Sequence, residues 1–202
     1  MQLQNNIVES GELQALADAL KAIVGADNVQ TDESARQLVS EDIFYSAKAV
    51  VSVVVSPTNL DDLASAVTAI HAAGFAAVPR GAGMSYTGAY LPATDRSVSI
   101  DTTKMDQIIR ISRDDMTVTV QAGVTWKALN EALAPHGLRT PFWGPMSGLV
   151  STIGGGISQL NAMFGAARYG TSSESVVALT VVTSDGRIIR TGARGPDGDT
   201  PH

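Results

Sequence analysis

The most constraining feature of this 202-residue sequence is a glycine-rich stretch that directly follows a short apolar segment. The stretch reads Pro79-Arg-Gly-Ala-Gly-Met-Ser-Tyr-Thr-Gly88, and Phe75-Ala-Ala-Val-Pro79 before it has the composition of a strand. A turn of this kind at a strand end places successive backbone N–H groups around one point, where they can bind an anion. Gly81 and Gly83 allow positive φ angles and a close approach of the backbone. We therefore expect a phosphate-binding loop.

Side chains of the same loop could add further contacts to a phosphate. Ser85 and Thr87 carry hydroxyl donors. Arg80 could make a charge-assisted contact, and a surface salt bridge is an equally good interpretation of this residue.

Two other nucleotide-binding motifs agree less well with the loop. A Rossmann unit, which binds a nicotinamide cofactor, needs G-x-G-x-x-G opening a helix, with an acidic residue about 20 positions further on. Asp101 is at the right distance, but Tyr86 occupies the place of the third glycine and Ala89-Tyr-Leu-Pro92 does not begin a helix. A Walker loop is excluded because the sequence has no Gly-Lys-Ser/Thr. A Rossmann dehydrogenase stays a less favoured alternative. The simplest alternative is an ordinary glycine turn that binds no ligand.

A second glycine cluster, Ser151-Thr-Ile-Gly-Gly-Gly-Ile-Ser-Gln-Leu-Asn161, has three consecutive glycines between hydroxyl residues. Each glycine lowers helix propensity by about 1 kcal/mol relative to alanine. A sequence tolerates this more easily where the backbone packs against a flat or anionic group, such as an isoalloxazine ring or a ribityl-phosphate chain. Close packing of the backbone on a neighbouring strand is the alternative. Two clusters in one small chain favour a shared ligand.

The rest of the sequence predicts an α+β protein built from two subdomains. Predicted helices cover 11–24 (capped by Ser10), 32–39, 59–73 (begun by Thr58 with Asp61) and 126–134 (capped by Thr125). Predicted strands cover 50–55, 75–79, 97–101, 107–112, 116–122, 176–184 and 187–191. The strand–helix–strand run over 50–79 favours a parallel pair with a right-handed crossover. Asp185-Gly186 predicts a two-residue hairpin turn.

These elements suggest four segments. We expect an N-terminal helical segment at 1–45 and a small βαβ subdomain at 46–104. A mixed or antiparallel subdomain follows at 105–192, and a polar, Gly- and Pro-rich flexible or truncated end covers 193–202.

Composition narrows the possible partners. Hydrophobic residues make up 44% of the chain, enough for a core, while a net charge of -6 and the lack of basic runs argue against nucleic acid. The absence of cysteine excludes disulfides, thiolate catalysis and Cys-ligated metals. The apolar stretch 47–55 is far shorter than the ~20 residues of a membrane span, and no signal peptide is visible. We expect a cytoplasmic protein, with attachment to a membrane surface left open.

Both clusters belong to a longer series of sequence blocks. The blocks are Val54-Val-Ser-Pro57, Pro79-Arg-Gly-Ala-Gly-Met-Ser85, Ile100-Asp101 with Met105, Val118-Thr-Val-Gln-Ala-Gly-Val124, Ser151-Thr-Ile-Gly-Gly155, Asn161-Ala162, Arg168-Tyr-Gly170 and Asp185-Gly186. In this order and spacing they resemble the FAD-binding domain of the vanillyl-alcohol oxidase / p-cresol methylhydroxylase-type flavoproteins. The glycolate oxidase and D-lactate dehydrogenase group is the nearest branch. The resemblance covers about Leu20 to Gly192 and implies a two-subdomain FAD fold with the flavin between the subdomains.

The resemblance also implies which residues bind FAD. The loop amides of Gly81, Ala82, Gly83, Met84 and Ser85 would bind the pyrophosphate, with Arg80 and Gly88 in the same loop. Pro145, Ser151, Thr152, Gly154 and Gly155 would line the flavin and ribityl side, and Ser158 and Asn161 are carried over with them.

Two departures from the family pattern bear on these roles. Many members attach the flavin covalently through a histidine in the first loop, where this chain has Met84, and a thioether cannot form that bond. With no cysteine as a second attachment point, we predict non-covalent FAD. Relatives usually have a glycine pair after Asn-Ala, where this chain reads Asn161-Ala-Met-Phe-Gly165, and this difference puts the role of Asn161 in doubt.

The resemblance implies an FAD-dependent oxidoreductase that acts on CH–OH groups. The expected reaction oxidises a small 2-hydroxy acid of the D-lactate or glycolate type by hydride transfer to flavin N5, with an electron acceptor that the sequence does not identify. Relatives continue into a substrate-binding cap, so we expect a fragment or one part of a split enzyme. A non-catalytic flavin-binding module that needs a partner chain is the alternative. His71, His136 and His202 are expected to be structural or solvated, so no catalytic residue and no metal site are assigned.

Overall fold

The computed structural model describes residues 10–162 and 164–192, which form short strands and helices. The helices are α1 (Ser10–Val24), α2 (Glu33–Val39), α3 (Leu60–Ala72), α4 (Trp126–Leu133), α5 (Ile153–Ser158) and α6 (Ala166–Tyr169). The strands are β1 (Val29–Gln30), β2 (Val53–Val55), β3 (Ala76–Arg80), β4 (Ser97–Asp101), β5 (Ile108–Ser112), β6 (Thr117–Val120), β7 (Ala178–Val182) and β8 (Ile188–Gly192). The predicted α+β class is confirmed.

Contacts between Cα atoms divide the described chain into two compact units. One contains residues 10–102 and 182–187, and the other contains 103–181 and 188–192. The predicted segment limits stay predictions, and the expected flexible end at 193–202 lies outside the described residues. None of the helices in the described part of the chain is long and apolar enough to cross a bilayer.

The first unit contains a four-stranded sheet in the order β1-β2-β4-β3. Strand β4 pairs in parallel with both β2 and β3, and β1 pairs antiparallel with β2. The strand–helix–strand run therefore does not form a neighbouring pair, because β4 lies between β2 and β3. The composition of the strands explains this order. Pro79 cannot donate to a ladder and suits the edge strand β3, whereas residues Ser97–Ile100 of β4 are all buried, as befits a central strand.

Helices α1 and α3 bury their apolar faces with this sheet in a single core. Its buried members are Leu16, Ala17, Leu20, Val24, Val29, Val53, Val55, Ala66, Val67, Ile70, Phe75, Val98 and Ile100. The N-cap of α3 is Asn59, whose side chain accepts a hydrogen bond from the Asp62 amide at 2.9 Å, so the predicted cap at Thr58 is wrong by one residue.

The second unit packs around the buried Trp126 of α4. The predicted cap of this helix is confirmed, since Thr125 Oγ1 accepts from the Ala128 amide at 3.1 Å. Strands β5 and β6 pair antiparallel with a bulge between Ile108 and Arg110. Helix α5 runs through the three glycines of the second cluster, where glycine propensity gave no reason to expect a helix.

The turn between β7 and β8 differs from the predicted two-residue hairpin. Thr183 N donates to Arg187 O at 2.9 Å, which closes a three-residue loop over 184–186. A two-residue type I′ turn needs positive φ at both central residues, but only Gly186 has it, with φ of 86°. The turn is therefore of the three-residue type that ends in a left-handed glycine.

Candidate functional site

The loop after β3 turns its carbonyl groups toward two side chains of its own unit. Gly83 O accepts a hydrogen bond from the Tyr90 hydroxyl at 2.8 Å, and Gly81 O accepts from Arg80 Nη1 at 3.4 Å. Among the described residues, the amides of positions 81–85 donate to no acceptor. A helix or strand would use such amides internally, so this loop presents five backbone donors that a bound anion can take up.

Gly83 is the loop position where only glycine fits. Its φ is 70°, in the left-handed region, and a Cβ built there would overlap the Arg80 guanidinium. The loop geometry therefore depends on this glycine for both its backbone angle and its space.

Arg80 packs inside the loop instead of forming a surface salt bridge. Its guanidinium lies over the Tyr90 ring at 5.2 Å from the centroid, and it forms no ion pair with any carboxylate in the described part of the chain. The Nε atom is buried and has no hydrogen-bond partner among the described residues. Arg80 thus supports the loop from within and adds positive potential beneath it, where an anionic ligand is stabilised.

The far end of the loop is held by Asp42, a residue that sequence reasoning did not assign. One carboxylate oxygen accepts from the Gly88 amide at 2.7 Å, and the other accepts from the Phe44 and Tyr45 amides. Burial raises the pKa of Asp42, but these three backbone donors outweigh it and leave the pKa below its usual value. Its bonds to the Phe44 and Tyr45 amides form an Asx turn, but no sequence signal points from Asp42 to Gly88, 46 residues away.

The remaining predicted loop residues divide into two kinds. The Gly88 amide is bonded to Asp42, so it is not available to a ligand. The hydroxyls of Ser85 and Thr87 lie 2.9 Å apart and hydrogen-bond to each other, although both stay solvent-accessible. Turns lead from the loop to β4 with no helix between them, which removes the Rossmann alternative because that unit requires a helix here.

The second cluster uses its amides differently. In α5, Ile153 N donates to Val124 O, Gly154 N to Ala122 O, and Gly155 N to Thr152 Oγ1, at 2.8, 2.9 and 3.2 Å. Thr152 is the N-cap of this helix. No amide of the first turn is left to bind phosphate.

Packing accounts for two of the three glycines. A Cβ on Gly154 would lie 2.8 Å from Ala122 Cβ, and one on Gly156 would lie 3.0 Å from the Trp126 ring. A Cβ on Gly155 would meet only the Thr152 hydroxyl, at 3.0 Å. The alternative of close backbone packing therefore explains Gly154 and Gly156, and Gly155 is the one that packing within this unit does not require.

The other predicted flavin-side residues lie around α5 in contact with one another. Ser151 Oγ donates to Pro145 O at 3.0 Å, and Ser158 Oγ donates back to Gly154 O at 2.9 Å. Asn161 N donates to Gly156 O at 2.9 Å, while its side-chain Nδ2 is buried with no partner among the described residues. An unpaired buried donor is costly, and a ligand acceptor would remove that cost.

Two strained backbone positions flank this group. Met146 follows Pro145 with φ of 51°, and Leu160 precedes Asn161 with φ of 49°. Non-glycine residues seldom adopt these angles, and such strain is concentrated at functional sites. The side chains of Met146, Leu160 and Phe164 are all exposed.

The described histidines are not part of either group. His71 in the last turn of α3 and His136 are exposed, and His202 lies outside the described residues. A cavity of about 620 Å³ in the second unit is lined by none of the predicted residues.

Residues 51–192 match the family model of the FAD binding domain. The chain belongs to the FAD binding domain family. Its predicted cofactor, FAD, is confirmed by this membership.

Sequence relatives agree with the expected branch. The chain is 35% identical over 144 residues to the mitochondrial D-lactate dehydrogenase [cytochrome] of Kluyveromyces lactis, covering 70% of this chain and 24% of that protein. It is 30% identical over 177 residues to glycolate oxidase subunit GlcD of Bacillus subtilis, covering 88% and 37%. The chain thus spans between a quarter and two fifths of the length of these relatives.

Solved structures share the fold of the chain. Substrate-bound p-cresol methylhydroxylase superposes with a TM-score of 0.79 at 22% identity, covering 96% of this chain and 38% of that one. Alkyldihydroxyacetonephosphate synthase gives 0.78 at 22% identity, covering 98% and 37%. The predicted family resemblance is confirmed by these matches together with the family model.

Proposed function

We propose that this chain is the FAD-binding portion of an oxidoreductase that acts on a CH–OH group, and that the loop after β3 binds the pyrophosphate of FAD. The observation that carries this proposal is the set of amides at positions 81–85, which have no acceptor in the described ranges and lie near the Arg80 guanidinium. A dinucleotide presents two adjacent anionic phosphates, and a curved row of N–H donors with a nearby cation is complementary to them.

The second group is proposed to contact the flavin and ribityl side. Gly155 offers a backbone surface without a side chain, and Asn161 Nδ2 offers an unpaired donor to a carbonyl or hydroxyl acceptor. Bound FAD supplies the electron-accepting chemistry, while the protein binds and orients it and limits water access. Because Met84 stands where many relatives have a histidine, we propose non-covalent attachment.

The proposed substrate is a small 2-hydroxy acid. Support comes from two relatives whose names specify D-lactate dehydrogenase and glycolate oxidase. One of these is named as a subunit, which favours the second candidate, a flavin-binding module that works with a partner chain.

The absorbance spectrum of the purified protein tests the cofactor proposal. We expect visible flavin bands, and acid precipitation should release the yellow colour into the supernatant if attachment is non-covalent. Colour that stays in the pellet would contradict the Met84 argument. Protein that stays colourless after incubation with FAD would contradict the pyrophosphate site.

Turnover separates the two candidate functions. D-lactate, glycolate and D-2-hydroxyglutarate would each be supplied to the FAD-loaded protein with a dye as electron acceptor. Reduction of the dye supports an oxidoreductase that is active as this chain. Its absence, with FAD bound, favours the module that needs a partner.

A further inference from the structure

We propose that Tyr90 is a positioning residue for FAD: its hydroxyl orients the Gly83–Met84 peptide so that the Met84 N–H faces the pyrophosphate. The inference rests on the proposed function of the loop. Tyr90 lies two residues beyond Gly88, outside the glycine motif itself. Its hydroxyl donates to Gly83 O at 2.8 Å and lies 3.4 Å from Ser85 O.

Peptide geometry explains how one hydroxyl can orient donors that it does not contact. In a trans peptide the C=O and the N–H point in opposite directions. Holding Gly83 O toward Tyr90 therefore turns the Met84 N–H away from the tyrosine. Because Gly83 is free to adopt many backbone angles, this peptide would otherwise sample other orientations.

The surroundings of Tyr90 keep its hydroxyl in place. The residue is 8% exposed, and the Arg80 guanidinium lies over its ring. Asp42 holds the Gly88 amide at the other end of the loop. Both ends of the segment between Gly83 and Gly88 are therefore fixed. Tyr90 holds the Gly83 end, next to the amides that have no acceptor among the described residues.

Replacing Tyr90 by phenylalanine removes only the hydroxyl and keeps the ring under Arg80. The matched control is Tyr86→Phe, in the same loop, because the Tyr86 side chain is 68% exposed and its hydroxyl makes no hydrogen bond to the described residues. For each variant of the full chain, dissociation constants for FAD and for riboflavin would be measured by flavin fluorescence, together with the apoprotein melting temperature. Riboflavin has the ring and ribityl chain but no phosphate.

We expect Tyr90→Phe to weaken FAD binding about tenfold, the effect of losing one hydrogen bond of about 1.4 kcal/mol. Riboflavin binding should not change, and Tyr86→Phe should match the wild type. Unchanged FAD affinity in Tyr90→Phe would overturn the proposal. An equal loss for FAD and riboflavin would also overturn it, since Tyr90 would then only support the fold. A wild-type protein that binds riboflavin as tightly as FAD would contradict the pyrophosphate loop itself.

Discussion

The two glycine clusters look alike in sequence but use their backbones in opposite ways. Between positions 81 and 85 the carbonyls of Gly81 and Gly83 accept bonds from side chains, and the amides have no acceptor in the described chain. In the first turn of α5 the amides are all bonded, and two of the glycines allow the helix to touch Ala122 and Trp126. In the first cluster, glycine lets a ligand approach the backbone. In the second, it lets a helix pack closely against neighbouring residues.

The largest effect is expected from a substitution in the first cluster, and it tests whether that loop binds FAD. Gly83→Val should lower FAD affinity about a hundredfold, because the side chain meets Arg80 and the left-handed backbone costs about 1–2 kcal/mol for a branched residue. Titration of the apoprotein with FAD measures this loss.

The control for this change is Gly137→Val. Gly137 has nearly the same φ, 69°, but a Cβ there would meet nothing within 4 Å. It should lower stability without changing FAD affinity. Equal affinities for the two valine variants would show that the loop does not bind the pyrophosphate.

A stability measurement tests whether the glycines of the second cluster are needed for packing. Gly154→Ala forces a methyl group against the Ala122 backbone, which should cost about 1–3 kcal/mol and lower the melting temperature by several degrees. Gly155→Ala lacks that clash and should melt near the wild-type temperature, while its FAD affinity falls if the flavin approaches there. A Gly154→Ala protein as stable as the wild type would remove the packing explanation.

The contrast also explains what the sequence could predict. A strand followed by alternating glycines has one common structural outcome, so the position of the loop at the end of β3 was predictable. Three adjacent glycines fit either a ligand surface or a tight helix contact. Only the position of the Trp126 ring and of Ala122, both distant in sequence, distinguishes these outcomes.

The sequence likewise does not indicate the two residues that hold the loop, Asp42 and Tyr90. Asp42 lies 46 residues before the Gly88 amide that it binds, and no local pattern joins them. Tyr90 appears in the sequence only as an aromatic residue near a proline. The order of the sheet was missed for a similar reason, since β4 enters between two strands that are adjacent along the chain.

A smaller effect is expected at the edge of the second cluster. Asn161→Ala should weaken FAD binding about three- to tenfold, the range for one hydrogen bond, because it removes a donor that has no partner among the described residues. The melting temperature of the apoprotein should stay the same or rise slightly. Ser158→Ala is the control, since the Ser158 hydroxyl already bonds to Gly154 O and should not affect FAD. If Asn161→Ala binds FAD normally, the unpaired donor has no role in cofactor binding.

The smallest effect concerns the pH dependence of the loop. The pKa of Asp42 is lowered from the usual 3.8. The stabilisation of the loop by the charged carboxylate is therefore fully present above pH 3.8 and is lost as the pH falls through the lowered pKa of the folded protein. Asp42→Asn should weaken FAD binding less than Tyr90→Phe does. The ratio of variant to wild-type dissociation constants should stay constant between about pH 8 and 5. It should fall toward one only below pH 3.8, as the pH passes through the lowered pKa of Asp42 and the wild-type carboxylate also becomes neutral. FAD titrations of both proteins across this range measure the ratio. If the ratio changes between pH 8 and 5, a titrating group other than Asp42 causes the change in FAD affinity. Tyr90 would then remain as the residue that orients the loop.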